Sequence, residues 1–431
     1  MSNNTFESKL DIAWNKLFEK YDILNNIAKC GKYEISAEQI KEFREARLMT
    51  KFDHSINLPE IFKCHQLSIL PITRGSYIIS HFDAYHNFEK TETTFTKVQL
   101  PSYLQSLDYE NVNSESIALN SAYVSGIISD FTEDDDLLPT VSGRMSSGIF
   151  YFQIYDKTKR SMQSIKVANS QIEIDAAYEG INYLSLFEAK NDISDDFLIR
   201  QLYYPYRTWT DKLSKKVKPI FLMFSNGIYR LFEYKFTDLH NYSSLILVKQ
   251  KNYAIVDDDI SLSDIEKILR NIKIMNEPTI SFPQADSIER VINLCELLSE
   301  KNLDRDDVTK QYDFDARQTN YYTDAGRYLG LITKNKDGNT PIYSISPLAK
   351  KILQMSYKQR QLEYCKCILS HKVFYDVLQA YLSHGFIPDK RQIILFMKKS
   401  NLYNIQSDET FSRRASTIKH WIEWIVGLIN N

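Results

Sequence analysis

The spacing of apolar residues divides this chain into stretches of different character. Phe6, Leu10, Ile12, Ala13, Leu17 and Phe18 recur at helical intervals, and Ser36 followed by Glu38 and Gln39 has the form of a second helix start. Residues 5–50 therefore read as helices. From Leu58 to about Val124 the pattern shortens to strands and turns, as in LSILPITRGSYIISHF and TTFTKVQLP. The acidic FTEDDDLLP, Phe131 to Pro139, is a turn-like break, and a new run opens at Ser142. Strand-like pieces follow at 150–155, 171–178 and 183–189, with Glu179-Gly180 turning the last two into a hairpin. DDFLIRQLYYPYRTWTDKL reads as helix up to Pro205 and beyond it. KPIFLMFSNGIYRLFEYKF gives two strands about Ser225-Asn226-Gly227, an Asn-Gly hairpin turn.

After VDDDISLSD the periodicity becomes helical. SIERVINLCELLSE is amphipathic, DRDDVTKQY is short, and DFDARQTNYYTDAGRYLGL is a third helix with Asp315 as its N-cap. Two strands about Lys336-Asp337-Gly338 and the helix PLAKKIL complete an order that predicts a winged helix-turn-helix. The last 75 residues are helical and end in DETFSRRASTIKHWIEWIVGLI, which predicts a second, degenerate winged-helix-like unit. The expected fold class is α+β and multi-domain. The expected divisions are an N-terminal α/β module at 1–135, a mixed-sheet domain at 136–256, the winged helix-turn-helix at 257–355 and a helical unit at 356–431.

Composition changes this picture little. The 431 residues are 43% apolar and 25% charged, ordinary for a globular chain with sizeable cores, and 12 Gly and 11 Pro leave no room for long flexible linkers. No run of about 18 apolar residues predicts a membrane span, and no secretory signal is visible at the start, so the expected location is the cytoplasm. The five cysteines are scattered, as expected of free thiols in a reducing compartment. The net charge of −2 hides an asymmetry: residues 291–431 carry +5 and residues 1–290 carry −7. A basic C-terminal third is compatible with phosphate contact.

The chemistry concentrates in QIEIDAAYEGINYLSLFEAK, residues 171–190. Residues two apart in a strand share a face, so Glu173 and Asp175 point one way and Glu188 and Lys190 share a face of the partner strand. A hairpin brings these pairs together, backed by Ile172, Ile174, Leu186 and Phe187. Carboxylates crowded on one surface are unfavourable without a cation. Two of them can hold a hard cation through oxygen, while an ammonium steadies water and developing negative charge. The alternative is a solvated strand face closed by a cross-strand salt bridge from Asp175 or Glu173 to Lys190.

At these residues the chain resembles the PD-(D/E)XK nuclease superfamily and, within it, type II restriction endonucleases. The similar pieces are KFDHSINLPEIFKCHQLSILPITRGSYIISHF (51–82), QIEIDAAYEG (171–180), LFEAKND (186–192), FLIRQLYYPYRTW (197–209) and the RQTNYY…YLGLI segment (317–332). The resemblance implies that Asp175 and Glu188, with the Ala189 carbonyl, bind Mg²⁺ (Mn²⁺ substituting), and that Lys190 orients or activates the attacking water. It implies hydrolysis of double-stranded DNA at a specific sequence, leaving 5′-phosphate and 3′-hydroxyl ends. It also implies a homodimer for cutting both strands and a cognate DNA methyltransferase that protects host DNA. Ile174 stands where the family's motif has proline, which is not a ligand. Gln201 is similar to the helix glutamine of RecB-like nucleases, but Pro205 replaces the tyrosine expected four residues later. Glu173 is a third ligand or a substitute for Asp175.

Candidate DNA contacts lie elsewhere. Arg317, Gln318, Thr319, Asn320 and Tyr321 open the third helix of the winged unit, where Arg can read guanine and Gln or Asn adenine. Arg413, Arg414 and Lys419 form a second set suited to phosphates. Arg74 in PITRGSY and Arg144 in SGRMSSG are expected in Gly-bearing turns before or beside strands. Two rivals remain open: a modification-dependent or structure-specific DNA nuclease, and a catalytically inactive winged-helix DNA-binding regulator.

Overall fold

A computed structural model describes residues 8–90, 94–109, 112–256, 258–311, 314, 316–338 and 340–429. The Asp315 cap lies outside these residues. The protein is a mixed α+β, multi-domain fold built on three apolar centres in chain order.

The first centre is N-terminal. Helix Lys9–Lys20 starts where the Ser8 side chain accepts the Asp11 N–H, and its apolar stripe buries Trp14, Leu17 and Phe18. Helix Ile23–Cys30 ends at Gly31, whose φ of 83° permits the left-handed cap. The expected helix start at Ser36 is present as a capping box with Gln39. Strand Tyr33–Ser36 interrupts the helical run and joins Ser76–Ser80 and Ser68–Pro71 in a small antiparallel sheet. Phe62, Ile40 and Ile79 close the core, with the Trp14 indole donating to the Met49 carbonyl.

The second centre is a seven-stranded mixed sheet. Its order is Thr96–Val98, Leu245–Ile255, Ile228–Phe236, Lys216–Ser225, Tyr183–Lys190, Gln171–Glu179, Leu138–Ser146. Lys216–Ser225 runs parallel to Tyr183–Lys190, and Thr96–Val98 runs parallel to Leu245–Ile255; the remaining neighbours are antiparallel. The Asn-Gly turn is as expected. Asn226 and Gly227 both have positive φ, 53° and 77°, matching the twist of a two-residue hairpin.

Both faces of this sheet are covered, which explains the continuous apolar run IFLMF in Lys216–Ser225. Helices Glu115–Val124 and Ile127–Thr132 cover one face over Phe187, Ala189, Leu222 and Leu231. The stretch before Val124, read from sequence as strands and turns, thus ends in a helix, started by the Ser114 side chain accepting the Ile117 N–H. Helix Arg200–Thr210 and the hairpin Ile149–Asp156/Ser161–Ala168 cover the other face. The second strand of that hairpin was not among the expected pieces, although Ile165 and Val167 alternate as a half-buried strand should.

The third centre is helical and continuous from Ile260 to Leu428. Helices Ile288–Glu300, Arg305–Gln311 and Ala316–Tyr328 precede the hairpin Ile332–Asp337/Thr340–Ile345, and Pro347–Leu353 follows. Helices Tyr357–Leu369, Lys372–His384, Lys390–Lys398 and Asp408–Ile429 pack on the same core through Phe374, Trp421 and Ile425. The second winged-helix-like unit expected at 356–431 is not formed. This segment has no strand among the described residues, because no alternating pair of segments with a turn exists there to build a wing. Among the described residues no helix is long and apolar enough to cross a membrane.

Candidate active site

The acidic hairpin forms as its alternation predicts, with pairs running from Leu184↔Glu179 to Phe187↔Ala176. Beyond Phe187 the two strands part, while Leu138–Ser146 pairs along the other edge of Gln171–Glu179. Asp175 spans the opening: its Oδ2 accepts the Ala189 N–H at 2.8 Å. Asp175 is thereby fixed by the strand that carries Glu188 and Lys190. Phe187 and Ala189 pack under the two helices on one face, whereas Leu186 and Glu188 turn toward helix Arg200–Thr210.

Glu188 is buried. Its Oε1 accepts from Lys190 Nζ at 2.8 Å and from Gln201 Nε2 at 2.6 Å. Lys190 Nζ also donates to the Ala189 carbonyl at 3.1 Å and reaches Glu115 Oε1 at 3.4 Å. Lys190 therefore takes Glu188 and Glu115 as partners, not the Asp175 or Glu173 of the solvated-face alternative.

The electrostatics follow from crowding. Burial, opposed by Lys190 and reinforced by Asp175, pushes the Glu188 carboxyl up to about 7. Glu115 is raised for the same leading reason. Burial alone would lower the Lys190 pKa, but Glu188, Glu115, Asp175 and Asp53 outweigh it and hold the ammonium charged. The cluster opens into a cleft of about 520 Å³ whose walls include Arg47, Lys51, Asp53, Arg144 and Arg200.

Sequence reasoning missed Glu115, Asp53, Arg47 and Arg200, and gave Gln201 no role. The Glu115 signal was present in NSESIALNSAYV, a serine cap before an apolar helical stripe. Glu173 lines the cleft but stands apart from the cluster: it pairs with its cross-strand neighbour Arg144 at 3.1 Å, and both are about half exposed.

Among the described residues no three His, Cys, Asp or Glu side chains converge as a ready-made metal cage. The donor set nonetheless fits Mg²⁺, which keeps several waters and takes only one or two carboxylates. Asp175, Glu188 and the Ala189 carbonyl supply oxygens of that kind. Gln201 Oε1, buried with no hydrogen-bond partner among the described residues, is an acceptor that a cation's water would satisfy.

The C-terminal candidates are placed differently. Arg317 is exposed, and its Nε donates to the Tyr321 hydroxyl at 2.6 Å. Asn320 is exposed, and Gln318 and Tyr321 are half-buried. Thr319 is fully buried and shares a hydrogen bond with Thr309, so the base contact expected of it is not available. Arg413 lies 3.9 Å from Glu409 and Lys419 lies 3.6 Å from Glu423, each one helical turn away. Arg414 sits near Tyr321, so the two sets adjoin. Arg74 is exposed in the turn before Ser76–Ser80.

Three family models match successive parts of the chain, each described as a domain of unknown function: DUF6996 over residues 11–79, DUF6997 over 80–254 and DUF7226 over 290–430. No curated protein and no solved structure matches. The segment similar to DUF6997 contains Asp175, Glu188, Lys190, Glu115 and Gln201.

Proposed function

We propose that this protein is a Mg²⁺-dependent endonuclease acting on double-stranded DNA at a specific sequence. The observation that carries the reading is the convergence of Asp175, Glu188 and Lys190 at the head of an open cleft. There Glu188 is buried among like charges and Gln201 Oε1 lacks a donor. Such crowding beside an open cleft, with an acceptor left unsatisfied, suits a cation-dependent hydrolase.

Asp175, Glu188 and the Ala189 carbonyl would hold the cation. When bound, it would polarise a phosphoryl oxygen and acidify a water. The Ala189 N–H bond fixes Asp175 and Gln201 fixes the Glu188 carboxyl, which gives up its proton as the cation loads. Lys190, held charged, would exchange its contacts with the Ala189 carbonyl and Glu115 for the attacking water and the oxygen on which negative charge grows. The water gives up a proton to solvent as its oxygen bonds to phosphorus, the bond to the 3′ oxygen breaks, and that oxygen takes a proton from a solvent water, leaving 5′-phosphate and 3′-hydroxyl ends.

A finer fold reading accompanies this one. The sheet and helix from Leu138 to Ile255 form a PD-(D/E)XK core, supported by the acidic hairpin, its following helix and the parallel strand Lys216–Ser225. The segment from Ile288 to Leu353 forms a winged helix-turn-helix, supported by its order of three helices, a hairpin and a helix. The protein works in the cytoplasm as a homodimer beside a methyltransferase that protects host DNA.

The test is digestion of unmethylated phage DNA with Mg²⁺, with Mn²⁺ as a second metal. Discrete fragments that DNA ligase rejoins without added kinase support the reading. Intact DNA under both metals overturns it.

A further inference from the structure

The cleft does not end at the acid cluster. A second groove of about 420 Å³ runs from it toward the N-terminal sheet, and the two share Arg47, Lys51, Asp53, Arg144, Glu173 and Arg200. Together they make one trough between the N-terminal body and the edge of the central sheet. At its far end stand Lys41, on helix Ala37–Lys41, and Arg74, in the turn joining Ser68–Pro71 to Ser76–Ser80.

The cations along this trough are of two kinds, and the carboxylate Glu45 lines it beside Asp53 and Glu173. Lys51 and Arg144 are paired, with Asp53 at 3.5 Å and Glu173 at 3.1 Å. Lys41, Arg47 and Arg74 are exposed and make no ion pair among the described residues. Arg200 sits where the two grooves join, next to Gln201. Its Nε is buried without a hydrogen-bond partner among the described residues. A row of cations without carboxylate partners, leading to a cluster of carboxylates, suits a polyanion that is gripped along its length and cut at one point. The C-terminal Arg413 and Lys419 instead face glutamates of their own helix.

We infer that the trough lined by Lys41, Arg47, Arg74 and Arg200 carries the phosphate backbone of DNA to the Asp175–Glu188–Lys190 cluster. The inference rests on the endonuclease reading for the identity of the polyanion. It assigns the N-terminal body, which comes from the segment similar to DUF6996, the task of gripping the substrate.

The test is binding of a fluorescein-labelled DNA duplex to the full chain by anisotropy, in EDTA so that nothing is cut. Salt is varied from about 50 to 200 mM. Lys41→Glu/Arg74→Glu should weaken binding at least about tenfold and flatten the salt slope by about 2, the loss of two phosphate contacts. Lys41→Gln/Arg74→Gln should flatten it equally with a smaller loss of affinity. Arg413→Glu/Lys419→Glu should change affinity by less than about twofold, as expected of charges already paired. An unchanged affinity and slope in both trough variants, or a wild type without affinity for duplex at the lowest salt, overturns the inference. The two readings fail separately. A wild type that binds through the trough but never cuts fails the endonuclease reading alone. A wild type that cuts, with trough variants that bind and cut undiminished, fails the trough alone.

Discussion

Two buried acids in the central domain show opposite physics. Asp134, from the acidic FTEDDDLLP stretch, caps the turn of the acidic hairpin. Its carboxylate accepts the backbone N–H groups of Asn182 at 3.1 Å and Tyr183 at 2.9 Å, and the Asn182 amide at 2.9 Å. Burial would raise its pKa, but those donors outweigh burial and hold the carboxyl below its ordinary value. Glu188 is equally withdrawn from water, yet it has two side-chain donors and faces Asp175, and its carboxyl is raised to about 7. One acid is fully satisfied and braces the fold. The other shares its one cation, Lys190, with Glu115 and also faces Asp175. Burial alone does not separate a structural acid from a chemical one; what matters is whether the donors around it suffice.

This contrast can be broken in order of expected effect. Asp175→Asn should slow cleavage by about a thousandfold or more while leaving the melting temperature nearly unchanged, measured by single-turnover digestion beside a thermal melt. A matching loss of stability would make Asp175 a brace like Asp134. Conversely, Asp134→Ala strands two buried backbone donors and should cost about 3 kcal/mol in denaturant unfolding. The fraction that stays folded should still cleave.

The pH dependence separates the two acids by sign. The lowered pKa of Asp134 means that its contribution is present above the unfolded value. It is lost as pH falls through the lower folded value. The raised pKa of Glu188 works the other way. Without a divalent cation the folded state holds the extra proton, so stability falls as pH rises from about 4.5 to about 7. A cation binds the ionised form, so Mg²⁺ should raise the melting temperature more at pH 8 than at pH 6. At a hundred times its dissociation constant the gain is about 2.7 kcal/mol. An equal rise at both pH values would show that Glu188 takes no part. The smallest effect is expected at Arg413→Ala/Lys419→Ala, whose exposed pairs contribute under about 0.5 kcal/mol, checked by the same melt.

The legible parts of the molecule were those set by local pattern. The Glu173–Asp175 alternation, the Glu179-Gly180 and Asn226-Gly227 turns and the Ser36 capping box all depend on residues within a few positions of one another, and all are present. Glu115 was illegible as a member of the cluster because it meets Lys190 across 75 positions of chain. Arg47 and Asp53 come to the cleft from still farther, through packing of the N-terminal body. Asp134 reads as part of an acidic, turn-like break because nothing local announces that its donors are Asn182 and Tyr183. At the C-terminus, helix periodicity was readable, but the single core shared by residues 260–428 was not, since a helical stripe does not say which neighbour it meets.

The measurement that tests the central claim most directly is digestion of unmethylated phage DNA with Mg²⁺ by wild type, Glu188→Ala and Lys190→Ala side by side. The account predicts discrete fragments from wild type and none from either variant, with all three proteins folded by circular dichroism. Cleavage that survives both substitutions would contradict it.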